Sequence, residues 1–98
     1  MNIQALMKQA QSLQNEMMKT KEEIDNMTFI GESSVVKVTI NGKKQLLKVN
    51  IQADSEVSSD LEMLEDMILV ATNQALDEVD RVTEEKMGKY SKAMPGLF

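Results

Sequence analysis

The sequence predicts an α+β domain: a long helix, a three-stranded antiparallel sheet and a second long helix, in the order αβββα. Three observations predict it. Apolar residues recur on a 3.5-residue period through residues 3–27. Two runs of alternating apolar and polar residues flank Asn41-Gly42. An apolar stripe of helical spacing, opened by a capping signature, follows from Leu61 to Val82. With no helical pattern between the strand runs, the connections are short and the strands antiparallel. A chain of 98 residues makes one domain, 1–98, divided into helix 1–27, strands 28–53, helix 59–90 and tail 91–98.

In the first helix Ile3, Leu6, Ala10, Leu13, Met17, Thr20, Ile24 and Met27 are spaced alternately by three and four residues, and only Thr20 is not apolar. That is the seam of a coiled-coil-like helix. About 25 helical residues span roughly 37 Å, more than a domain this small needs. The helix is therefore expected to project or to pack on a second subunit through Ile3, Leu6, Leu13, Met17 and Ile24. Packing on the chain's own sheet is the other reading of the same stripe.

Met27-Thr28-Phe29-Ile30 is a strand-forming run that ends at Gly31. Val36, Val38 and Ile40 alternate with Lys37 and Thr39, and Leu47, Val49 and Ile51 resume the alternation beyond Asn41-Gly42. Asn-Gly between alternating runs signals a hairpin with a two-residue turn. Such a loop pairs Ile40 with Lys43, Val38 with Gln45 and Val36 with Leu47. The core face then carries Val36, Val38, Ile40, Leu47, Val49 and Ile51. The outer face carries Lys37, Thr39, Lys44, Leu46, Lys48 and Asn50, with Lys43 beside the turn.

Residues 53–58 form a polar connection, and Ser59-x-x-Glu62 has the form of a capping box. Leu61, Leu64, Ile68, Ala71, Ala75, Val79 and Val82 trace the buried stripe of the second helix, widened by Leu76. Acids gather at its start and Lys86, Lys89 and Lys92 near its end, as the helix dipole favours. Pro95-Gly96 cannot continue the helix.

The side-chain inventory narrows the chemistry. The chain has no Cys and no His, which removes thiol nucleophiles, thiolate metal sites and the commonest general base. Its carboxylate pairs are neighbours in sequence and diverge on a helix, and its four glycines are scattered. No catalytic residue, metal, cofactor or small-molecule substrate is expected, and no membrane span or signal peptide. The net charge is −5, yet residues 28–53 carry +3 while residues 54–98 carry −7. Segregation of this kind makes a local field that the overall charge hides. The lysines either guard an exposed sheet against strand-on-strand association or, with Lys8, Lys19 and Lys21 of the first helix, contact phosphates. Nine methionines suit core or dimer packing first, with a protein-interaction module built on Met-rich helices and no direct DNA role as the alternative.

LMKQAQ, GES, VKVTINGK, MLEDMI, TNQALD, EEKM and the terminal MPGLF follow one another along the chain. This ordered set resembles the YbaB/EbfC family of bacterial nucleoid-associated proteins over essentially the whole length. The resemblance implies a cytoplasmic, nucleoid-bound homodimer with projecting helices. It also implies a protein that binds double-stranded DNA without enzymatic activity and influences nucleoid organisation or expression. Within the matched motifs it points to Lys8, Lys37, Lys43 and Lys86 as DNA contacts. Lys19, Lys21, Lys44, Lys48, Arg81 and Lys89 join them on charge and position. Departures from the family pattern are Ser12 in place of a second basic residue, Ser33-Ser34-Val35 in place of a glycine-rich stretch, and Ala53-Asp54 in place of Asp-Pro.

Overall fold

The side-chain oxygen of Asn2 accepts the backbone N–H of Ala5 at 3.3 Å and opens the first helix, α1, Ile3–Asp25. This computed structural model describes residues 2–52 and 59–93. Strands β1 (Thr28–Ser33), β2 (Val36–Asn41) and β3 (Leu46–Ile51) follow, and a second helix, α2, runs from Leu61 to Ala93. The sheet is antiparallel in the order β1-β2-β3. The polar connection at 53–58 and residues 94–98 lie outside the described residues.

Strand β1 does not stop at Gly31; it continues to Ser33 and pairs with β2 along its whole length. Gly31 has another purpose. A Cβ there would run into the backbone carbonyl of Ala71, so the missing side chain lets α2 sit directly on β1. Ala71 and Ala75, both fully buried, complete that close approach from the helix side.

The hairpin forms, but with a longer loop than the sequence suggests. Val36 pairs with Ile51, Val38 with Val49 and Ile40 with Leu46, with a bulge between Thr39 and Ile40. Asn41 acts through its side chain: Oδ1 accepts the N–H groups of Lys43 and Gln45, each at 3.0 Å. Its backbone N–H reaches the Gln45 carbonyl and its carbonyl accepts from Lys44, so Lys44, at φ 64°, takes the left-handed position. Gly42 keeps an ordinary φ; its lack of a Cβ instead clears the Ile24 carbonyl at the end of α1. The pairing differs from a two-residue turn by four positions for Val36 and Val38. That even shift keeps Leu47, Val49 and Ile51 on the inner side and Lys48 and Asn50 on the outer one, whereas beyond the bulge Ile40 moves by three and takes Leu46 as its partner.

Phe29, Val36, Val38, Ile40, Ala71, Ala75, Val79 and Val82 form the main core between α2 and the inner sheet face. Among the described residues, helix α2 packs on β1 and β2 and not on β3. Leu47, Val49 and Ile51, expected in the core, are therefore exposed, at 54%, 39% and 41%. Leu61, expected on the buried stripe, is also exposed. The cap of α2 is Asp60, whose Oδ1 accepts from Met63 N–H at 3.1 Å, one residue later than the Ser59 capping box proposed. The helix then runs three residues beyond Tyr90.

A second cluster joins the two helices. Ile24, Met87 and Tyr90 are buried, with Leu13, Met17 and Met27 packed against them. Thr20, the one polar residue of the α1 seam, lies within hydrogen-bond distance (3.2 Å) of the Tyr90 hydroxyl. The helices thus extend together away from the sheet as one arm. The radius of gyration is 19.5 Å, against about 13 Å for a compact domain of 100 residues.

Candidate nucleic-acid interface

Among the described residues, no helix lies over the outer face of the sheet. Lys37 and Lys48 both point to it, because Lys37 pairs with Asn50 and Lys48 with Thr39. These positions are diagonal neighbours across β2 and β3, close enough for two ammonium groups to face adjacent phosphates. Lys43 stands in the exposed hairpin loop. Glu32 is paired with Lys37 across β1 and β2, so the Ser34-Val35 end of this face carries both signs. Ile30, 49% exposed, lies on the same face.

Ion pairs divide the ten candidate cations. Lys44, expected on the outer face, instead reaches Asp80 of α2 at 2.9 Å, because its left-handed backbone turns it to the helix side. Arg81 is held by Glu78 and Glu85 on its own helix. Its guanidinium donates two hydrogen bonds to Glu78, which lowers the pKa of that carboxyl and raises that of Arg81. Lys21 approaches Asp25 at 3.5 Å, and Lys89 of α2 approaches Glu16 of α1 at 3.8 Å. Lys8, Lys19, Lys37, Lys43, Lys48 and Lys86 are exposed and form no ion pair among the described residues. Three of these six are on the sheet and its loop, and three on the arm.

The same holds for Lys92, which did not figure among the sequence candidates. The signal for it was its place in the last turn of α2, where a cation also has the ordinary role of complementing the helix dipole.

The residues expected to meet a second subunit divide as well. Leu13, Met17 and Ile24 pack with Met87 and Tyr90 of the same chain, so α2 lies along this part of the seam. Ile3 and Leu6 remain exposed, at 69% and 48%. The uncovered inner face of β3 is an apolar surface that the seam argument did not anticipate. The two sheet edges also differ. On β1 the N–H of Glu32 donates to the Gln74 side chain at 2.7 Å, tying that edge to α2. No such contact ties β3 among the described residues.

Among the described residues, no cluster of acidic side chains is arranged to hold a metal ion, and no helix is long and apolar enough to cross a membrane.

Comparison with known proteins agrees along the full chain. It is 44% identical over 97 residues to a nucleoid-associated protein of Lactococcus lactis subsp. cremoris, covering 97% of this chain and 98% of that protein. A nucleoid-associated protein of Enterococcus faecalis is 38% identical over 98 residues, covering 98% and 94%. One of Clostridium novyi is 43% identical over 102 residues, covering 100% and 90%. The crystal structure of an uncharacterized Helicobacter pylori protein has a similar fold, with a TM-score of 0.71 at 20% identity, covering 87% of this chain and 91% of that one. The family model of the YbaB/EbfC DNA-binding family matches residues 1–94, and the chain belongs to that family.

Proposed function

We propose that the protein is a non-enzymatic, homodimeric nucleoid protein of the cytoplasm, which holds duplex DNA mainly through its phosphates and so influences nucleoid organisation or gene expression. The observation that carries the contact mode is the set of unpaired lysines. Lys37, Lys43 and Lys48 on the sheet side, and Lys8, Lys19 and Lys86 on the arm, need break no ion pair to meet a phosphate. Lys21, Lys44, Arg81 and Lys89 must first leave a carboxylate, so they contribute less. Phosphate contacts position a protein on DNA without reading its sequence. The few aromatic residues, one Tyr and two Phe, offer little for base stacking.

The uncovered inner face of β3 supports the dimer. Leu47, Val49 and Ile51 leave an apolar strip beside a free strand edge, which an isolated subunit would expose to aggregation. A second copy covering this strip satisfies both, and it leaves the lysine face and the arms free.

A salt titration of binding to duplex DNA tests the reading. The logarithm of affinity should fall linearly with the logarithm of salt concentration, by about 0.9 for each phosphate neutralised. No binding at low salt would reject DNA and favour the protein-interaction reading.

A further inference from the structure

Helices α1 and α2 run antiparallel in the arm: Lys89 lies beside Glu16 and the Tyr90 hydroxyl beside Thr20. Helix α2 covers the α1 seam at Ile24 and, in part, at Met17 and Leu13. Beyond Leu13 the seam is bare among the described residues. Ile3 is 69% exposed and Leu6 48%, Ala10 is exposed too, and Met7 flanks them at 66%. The charge changes at the same place. Residues 16–25 carry six charged side chains, whereas residues 3–15 carry Lys8 alone. At about 100° per residue, Lys8 falls on the side of the helix opposite Leu6 and Ala10. The tip of the arm thus presents an apolar stripe with no charged side chain beside it.

We propose that this stretch pairs antiparallel with the same stretch of a second copy of the chain, about a two-fold axis level with Lys8. Symmetry, charge and area select this occupant. Leu6 and Ala10 are equally distant from Lys8 in sequence, and so are Ile3 and Leu13. In an antiparallel pair Leu6 of each copy therefore packs on Ala10 of the other, a large side chain on a small one, and Ile3 of each on the half-buried Leu13 of the other. The second α1 takes up the line that α2 leaves. The pairing brings no like charges together, because both Lys8 side chains face away from the seam. Met7 of the two copies meets on one flank and Gln9 on the other. A charged partner, by contrast, finds no ion-pairing group on the seam side. About three helical turns on each copy bury less than the roughly 1,200 Å² of a stable interface. The contact is therefore weak between separate molecules, and it strengthens where molecules held together present their arms in sets. The proposal goes beyond DNA binding and does not rest on it, and it leaves Lys8 clear for a phosphate.

The chain has no cysteine, so single introduced thiols report the contact, with DNA absent. Leu6→Cys protein mixed with Ala10→Cys protein should form the mixed disulfide-linked dimer on mild oxidation. It should do so about tenfold faster than Lys8→Cys protein links to itself, since only the first pair comes within bridging distance. Equal rates would overturn the proposal, as would linking of each variant to itself in preference to the mixed pair. Thiols that react with a maleimide yet do not link would mean that no second copy is there. Thiols that resist both reagents would mean that another part of the same chain covers the stretch. Either result overturns the proposal. An independent measurement avoids cysteine altogether. In sedimentation equilibrium the average mass of the wild type should rise with concentration above that of Leu6→Asp, whose added charge the seam cannot pair. Coincident curves for the two proteins would overturn the proposal as well.

Discussion

Replacing Lys37 and Lys48 together by Ala separates the sheet face from every other cation on the molecule. Each lysine that neutralises a phosphate contributes about 0.9 to the slope of log affinity against log salt. The double variant should therefore bind with a slope shallower by about 1.8. At 0.1 M salt, relative to molar salt, each lost contact weakens binding about eightfold, and the pair about 60-fold. Neither side chain is buried or paired in an ion bridge, so thermal stability should be unchanged. The informative companion is Lys44→Ala. Its ammonium sits 2.9 Å from Asp80, so removing it frees a carboxylate near the hairpin but should leave the slope close to wild type. Fluorescence anisotropy with a labelled duplex at several salt concentrations reads all three proteins. A wild-type slope in the double variant would remove the sheet face from the interface. A drop for Lys44→Ala as large as that of the pair would show that ion pairing does not sort the lysines.

Other substitutions test the fold and its assembly. Gly31→Ala places a methyl against the Ala71 carbonyl and should destabilise by about 1–3 kcal/mol, read as a lower melting temperature. Gly88→Ala meets open space inside the C-terminal part of α2 and should stabilise by about 0.5–1 kcal/mol; a loss would reveal a neighbour close to that helix face. Val49→Asp with Ile51→Asp should convert a dimer to monomers in sedimentation velocity, and an unchanged mass would move the interface elsewhere. The Arg81 pair sets a pH dependence. Because the Glu78 carboxyl has a lowered pKa when folded, its stabilisation is complete above the unfolded value near 4.5 and is lost as pH falls through the folded value. Urea unfolding of wild type and Glu78→Gln should therefore differ slightly at neutral pH and converge in acid; a gap that widens in acid would contradict the assignment.

Much of the fold was legible because it depends on local rules. The 3.5-residue period of α1 and the alternation in β2 and β3 are written in consecutive residues. The hairpin register was less so, since Asn41-Gly42 serves two different turns. In one, both residues supply positive φ; in the one found here, Asn41 supplies a side-chain acceptor and Gly42 supplies clearance for Ile24. The exposure of β3 was not legible, because alternation shows that a strand has an apolar face but not which helix covers it. Nor does a 3.5-residue period say whether the partner of Leu13 and Met17 belongs to the same chain. The ion pairs that sort the lysines were hidden for a similar reason. Lys44 with Asp80, and Lys89 with Glu16, are distant in sequence and meet only once the arm is assembled.

Helix α2 passes without interruption from the sheet, at Ala71 and Ala75, to the arm, at Met87 and Tyr90. Sheet and arm are therefore locked in rotational phase. One residue inserted between Val82 and Met87 would turn the arm by about 100° about the helix axis, carrying Lys86 and Lys92 to another side of the molecule. Seven residues inserted there and seven in α1 would turn it back by only about 20° while lengthening it by about 10 Å. The arm of such a protein can vary in length in steps of a heptad and keep its lysines aimed in nearly the same direction, whereas intermediate lengths re-aim them.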